Sequence, residues 1–151
     1  MIMNGYTNQY LTNQIASATP EQLLLMLYDG AIRFTTLAVK AIESNDIPKR
    51  AYYINKASAI ISELDATLDH DQDANLAENL DALYHYMLKE FMNANKDNDP
   101  EPLKAIIKML KELRETWAEA IALAKNEQVE PASQNLDSDP APGHTKIAAA
   151  L

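Results

Sequence analysis

His85 is the residue in this sequence best placed to do chemistry, with Asp81 and Lys89 one helical turn to either side. A helical histidine near a cation is what phosphoryl relay needs, and an Asp–His pair is half of a metal site. Both readings meet a simpler one. His85 stands between Tyr84 and Tyr86 beside an apolar face, where packing or plain surface exposure suffices. Asp81 reads as its hydrogen-bond partner, and two ligands leave a closed zinc shell two short. A di-iron bundle would need Glu followed three residues later by His, and that pairing does not occur. Cysteine is absent, which removes disulfides, thiolate metal sites and cysteine nucleophiles. Three glycines give no phosphate-cradling loop and no turn-rich β fold. The residues therefore predict no catalytic group, no metal and no cofactor, hence a protein that is not an enzyme.

Composition narrows the class further. The chain has 151 residues, enough for one domain with a real core, and a formal net charge of −9. No basic stripe is available for nucleic acid. The amino terminus lacks a charged segment followed by an apolar one, so no secretory signal is expected. No apolar run approaches the ~20 residues that a bilayer requires. A cytoplasmic, helix-rich domain without direct membrane insertion follows.

The element around which the chain is organised opens at Thr19. Thr19 can cap a helix, Pro20 suits its first position, and Gln22 completes a capping box. The run from Leu23 to Tyr28 is apolar nearly all the way round, so the spacing predicts a helix over 20–43 covered on several sides. Ser44-Asn45-Asp46 is turn chemistry, and a second helix is expected over 48–68 with the stripe Ile54, Ala57, Ile61, Leu64, Leu68. A third is expected over 74–95, its seam read as Leu76, Leu80, Leu83, Met87, Phe91 and Ala94, with Ala77, Tyr84, Leu88 and Met92 as a second apolar set. A fourth, over 100–126, turns Leu103, Ile106, Ile107, Leu110, Leu113, Trp117 and Ile121 inward. Short breaks between helices of similar length favour an antiparallel up-and-down bundle. The expected fold is all-α: a four-helix bundle over 19–127, an uncharged segment over 1–18 that covers part of it, and a disordered tail over 128–151. That tail holds Pro131, Pro140 and Pro142 and ends in the apolar residues Ile147 to Leu151, read as a passive end.

With no chemistry in view, the surplus apolar surface carries the functional argument. It reads equally as a thick core or as a groove for a partner helix or extended peptide. Two classes of alternative stand beside the groove: a histidine phosphotransfer bundle acting through His85, and a homodimeric helical interaction module.

The sequence resembles the flagellar secretion chaperones from about Tyr6 to Ile121. The likeness rests on Tyr10, on Ala18-Thr19-Pro20-Glu21-Gln22-Leu23, and on Met26-Leu27-Tyr28-Asp29-Gly30-Ala31. It continues through Lys56-Ala57, Ile60-Ile61 and Leu64, then Leu80, Leu83-Tyr84 and Tyr86-Met87. Ala94-Asn95, Asp99 and Trp117 complete it. The sequence departs from the family at Asp71-Gln72-Asp73, which stands where many members have a glycine-containing turn, and in the tail after Glu127. The resemblance implies a cytoplasmic, non-enzymatic helical bundle that binds the helical carboxy-terminal segment of flagellin, prevents its premature polymerisation and delivers it to the export gate of the flagellar type III apparatus. A flagellar regulatory protein is a further candidate partner. The flagellin-binding candidates are Ile54, Ile60, Leu64, Leu68, Tyr84, Leu88, Ile107 and Leu110, and the sequence does not separate groove from core among them. Tyr6, Tyr10 and Ile15 are candidates for docking to the export gate or for covering the groove in the free protein.

Overall fold

The expected capping box is formed. Thr19 Oγ1 accepts the Gln22 N–H at 3.1 Å, and Gln22 Oε1 accepts the Thr19 N–H at 3.0 Å. Two of the donors that a helix start leaves unpaired are thereby satisfied. The computed structural model describes residues 2–129, with side chains for residues 8–128. Its helices are α1 (Ile2–Ser17), α2 (Pro20–Glu43), α3 (Ile47–Ala66), α4 (Ala74–Asp97) and α5 (Glu101–Val129). No strand occurs among the described residues.

The breaks between helices work as their chemistry dictates. Asp46 caps α3 by accepting the Lys49 N–H at 3.1 Å, and Asp73 caps α4 by accepting the Leu76 N–H at 3.1 Å. Asn45 (φ 56°) and Asn98 (φ 52°) hold the left-handed conformation that closes α2 and α4, which asparagine tolerates better than most side chains. Arg50 links these two turns. Its Nε donates to Asn95 Oδ1 at 2.9 Å and its Nη1 to Asn98 Oδ1 at 2.7 Å, and Asn98 reaches Asn45 Oδ1 at 3.4 Å. One end of the bundle is thus fixed by a single guanidinium.

Helices α2 to α5 form a ring in which each packs on its neighbours, most extensively α2 on α3 and least α4 on α5. Buried residues of all four helices form one core, among them Tyr28, Ala31, Ile61, Leu64, Met87, Phe91, Leu103 and Leu110. The architecture is the expected four-helix bundle, with an additional helix at its amino-terminal end.

Several local expectations need correcting. The segment over 1–18 was expected to cover the bundle without a clear helix, yet it is helical over nearly its whole length. Tyr10 is 68% exposed and Leu11 and Ile15 are also exposed, and α1 packs extensively on no other helix. The physical reason lies in the spacing. Its apolar residues do not recur on one face, so the helix has no stripe to bury. Tyr6 lies outside the residues whose side chains are described, as does the tail from residue 130. The seam of α4 also differs at two positions, where Ala77 and Tyr84 replace Leu76 and Leu83. Ala77, Leu80, Tyr84, Met87, Phe91 and Ala94 are buried, in an unbroken 3–4–3–4 repeat, while Leu76, Leu83 and Leu88 are half-buried and Met92 is exposed. Tyr84 takes the inner position because its hydroxyl finds a partner there. Finally, α3 ends at Ala66, so Leu68 lies beyond it, and α5 continues to Val129.

Candidate functional site

The eight apolar candidates separate by burial. Ile54, Leu64, Tyr84 and Leu110 are at most 3% exposed and belong to the core. No partner reaches them while the bundle is closed, because they lie on the inward seams of α3, α4 and α5. Ile60, Leu68, Leu88 and Ile107 are half-buried and pack against that core. They keep a surface that a partner can touch. Ile60 lies close over α2: a Cβ added at Gly30 would stand 3.1 Å from Ile60 Cδ1. Glycine at position 30 therefore lets this side chain lie against the helix backbone.

An apolar concavity lies elsewhere, where α4 and α5 pack least. A groove of about 260 Å³ is lined by Leu76 and Leu80 of α4 and by Leu113, Trp117 and Ala120 of α5, with Asp73 and Thr116 also lining it. Five of its seven lining residues are apolar, so water inside it has few partners. Of these, Leu76, Leu80, Leu113 and Trp117 are read from the sequence as inward-facing, and the groove itself is not anticipated.

Beneath the groove runs a polar chain. Trp117 Nε1 donates to the Tyr28 hydroxyl at 3.2 Å, which is 2.6 Å from the Tyr84 hydroxyl. With Trp117 donating, the Tyr28 hydroxyl is free to give its own proton to Tyr84. The chain joins α5, α2 and α4 through the interior and fixes their relative register. Burial pushes the pKa of both phenols up, so both stay neutral.

His85, the candidate for chemistry, is 60% exposed and sits at the α3–α4 seam. Its Nδ1 lies 2.8 Å from the Asp81 carbonyl oxygen, 3.2 Å from Asp81 Oδ1 and 4.0 Å from Asp65 Oδ2. The hydrogen bond to the Asp81 carbonyl, and then the Asp81 and Asp65 charges, raise its pKa. Desolvation by burial, and then Asp81, raise that of Asp65. Asp65 Oδ1 is inaccessible and has no hydrogen-bond partner. Asp65 was missed in the sequence, although it follows Ile61 by four residues and so places a carboxylate beside an apolar stripe. Two carboxylates around His85 also repel an incoming phosphoryl group, which weakens the relay alternative.

On the far side of the ring, the Arg114 guanidinium of α5 donates from Nε and Nη2 to the two carboxylate oxygens of Asp29 of α2. This fork-to-fork pair is exposed on both sides.

Comparison with known proteins decides the family. The family model described as "Flagellar protein FliS" matches residues 2–124. The chain belongs to the FliS family. A flagellar secretion chaperone FliS of Bacillus subtilis (strain 168) is 37% identical over 120 residues, covering 80% of this chain and 88% of that one. The FliS chaperone of Campylobacter jejuni is 35% identical over 112 residues, covering 74% and 88% of the two chains. That of Salmonella typhimurium is 31% identical over 116 residues, covering 76% and 86%. The FliS match takes in the bundle and the described part of α1, and it stops before the tail. The chain is thus a flagellar secretion chaperone by family, and no described helix is long and apolar enough to cross a membrane.

Proposed function

We propose that this chain holds the carboxy-terminal segment of flagellin in the cytoplasm, keeps it from polymerising early, and hands it to the gate of the flagellar type III export apparatus. The observation that carries the reading is the FliS family match over residues 2–124. The geometry supports it through apolar side chains that remain half-exposed on α3, α4 and α5, in a molecule with net charge −9. A client whose own assembly surface is apolar needs that surface covered, and an acidic carrier keeps the complex dispersed. Binding of this kind calls for no catalytic step, so the chain acts as a carrier rather than an enzyme. Ile60, Leu68, Leu88 and Ile107 are the contact residues of this proposal, and Ile54, Leu64, Tyr84 and Leu110 support them from the core. Tyr10, exposed on α1, is the proposed contact with the export gate. A flagellar regulatory protein is a further partner of this proposal.

Titration calorimetry with the flagellin carboxy-terminal segment tests the reading. Leu88→Asp and Ile107→Asp should weaken binding at least tenfold with the bundle still folded. Tyr10→Ala should leave flagellin affinity unchanged and reduce recruitment to the export apparatus. Absence of any flagellin binding by the folded parent chain would overturn the assignment.

A further inference from the structure

The sequence offers one pair of ligands on α4, Asp81 and His85, and the fold adds a third. Asp81 and His85 are four residues apart, so both project from one face of the helix. Asp65 reaches them from the last turn of α3, and one donor atom of each residue lies within 4.8 Å of the other two. From His85 Nδ1 the separations are 3.2 Å to Asp81 Oδ1 and 4.0 Å to Asp65 Oδ2. Zinc binds imidazole nitrogen and carboxylate oxygen at about 2.0–2.2 Å, so two of its tetrahedral ligands stand about 3.4 Å apart. The two separations bracket that value.

The electrostatics of this seam call for a cation. Asp65 and Asp81 lie side by side, and among the described residues neither pairs with a lysine or an arginine. Asp65 Oδ1 is shut off from water without a hydrogen-bond partner, where an anionic oxygen is costly unless it is paired. Asp65 also stands at the carboxyl end of α3, where the helix dipole is negative. His85 balances the two carboxylates only while it is protonated, and the same holds for His70, the other histidine whose charge acts on Asp65.

We propose that Asp65, Asp81 and His85 form a binding site for one divalent transition-metal ion of the zinc class, which ties α3 to α4. Two carboxylates and an imidazole are a mixed oxygen and nitrogen set, which suits zinc and its neighbours better than magnesium or calcium. Three protein ligands leave a fourth position for water, and His85, 60% exposed, keeps the site within reach of solvent. Ligation through Nδ1 places the imidazole proton on Nε2. The Asp81 carbonyl then gives up its contact with the ring but keeps its helical partner, the His85 backbone N–H. The bound charge cancels the repulsion between the two carboxylates. None of the three residues is among the proposed flagellin contacts, so the site is tested separately from that reading.

Calorimetric titration of the untagged, chelator-treated full chain with zinc chloride tests the site, at about pH 8 where the imidazole is mostly neutral. Asp65→Asn, Asp81→Asn and His85→Ala remove one ligand each, and His70→Ala is the control. The expected result is one ion per parent chain, bound at least tenfold more weakly by each ligand variant and within threefold of the parent by His70→Ala. Saturating zinc should also raise the melting temperature of the parent by about 4 °C or more, and that of the ligand variants by less than half as much. Circular dichroism checks folding, and the two nearly isosteric asparagine variants decide the matter if His85→Ala disturbs it. Absence of zinc binding by the folded parent overturns the proposal. Binding that survives undiminished in the ligand variants also overturns it, as an adventitious ion on other carboxylates. Magnesium binding as tight as zinc binding would overturn it too, in favour of diffuse attraction by an acidic surface.

Discussion

A phenol or indole taken out of water and left without a partner costs roughly 1–3 kcal/mol, and this gives the chain from Trp117 through Tyr28 to Tyr84 an order of importance. Tyr28 serves both neighbours, so Tyr28→Phe orphans the Trp117 N–H and the Tyr84 hydroxyl together. Tyr84→Phe removes only one partner of Tyr28. Denaturant unfolding should therefore rank Tyr28→Phe as the more damaging, by about 1 kcal/mol or more; equal costs would mean that the network is not continuous. In the Asp65–Asp81–His85 cluster the raised pKa values of His85 and Asp65 make predictions of the same sign over different pH windows. The raised pKa of His85 contributes stability that is present below its unfolded value of ~6.5 and is lost as pH rises through the folded value. The raised pKa of Asp65 means that the folded state binds its proton more tightly than the unfolded chain. That contribution is full below the ordinary carboxyl value of 3.8 and disappears as pH climbs through the folded value. Asp65→Asn should accordingly raise the melting temperature at pH 8 and leave it nearly unchanged at pH 4. A drop at pH 8 would show that Asp65 is needed as the ion.

At the scale of elements, the helices differ in how much each depends on its neighbours. Thr19→Ala breaks the capping box of α2 and should cost about 1 kcal/mol in denaturant melts. Deleting residues 2–17 should cost far less, because α1 packs extensively on nothing else. A melting temperature within a few degrees of the parent is the expected outcome, and a larger fall would mean that α1 docks on the bundle in solution. The contrast also explains what the sequence made legible. Caps and breaks are local, so the Thr19 capping box and the Ser44-Asn45-Asp46 turn marked helix ends to within a few residues. A one-face repeat is nearly as local, and the stripe of α3 was readable as Ile54, Ala57, Ile61 and Leu64. Helix α4 offered two overlapping apolar sets, and only a hydroxyl from another helix, that of Tyr28, selects Tyr84 for the interior. Helix α1 has no repeat at all, so its residues announced apolarity without announcing a helix. The α4–α5 groove depends on how closely two distant helices approach, and no spacing within either one encodes that distance.

For the whole molecule, the proposed carrier role makes a thermodynamic demand that contact lists do not. If flagellin is held through the half-buried residues Ile60, Leu68, Leu88 and Ile107, binding removes apolar surface from water and must show a negative heat-capacity change. Contacts of that sort lie too close for salt to screen, whereas the field of a molecule with charge −9 acts over the Debye length of ~10 Å at 0.1 M. The two contributions separate experimentally. Raising the salt should alter the association rate more than the dissociation rate, since the long-range field governs encounter and the apolar contacts govern residence. Calorimetry at several temperatures should then give a one-to-one complex whose enthalpy becomes steadily more favourable on warming. Leu88→Asp should shrink that slope in proportion to the surface it removes. Core replacements such as Leu64→Ala should instead cost roughly 2–5 kcal/mol of folding stability and leave the slope intact wherever the bundle remains folded. A heat-capacity change near zero, with affinity falling steeply as salt rises, would mean that flagellin is held by charge and that the half-buried residues only complete the core.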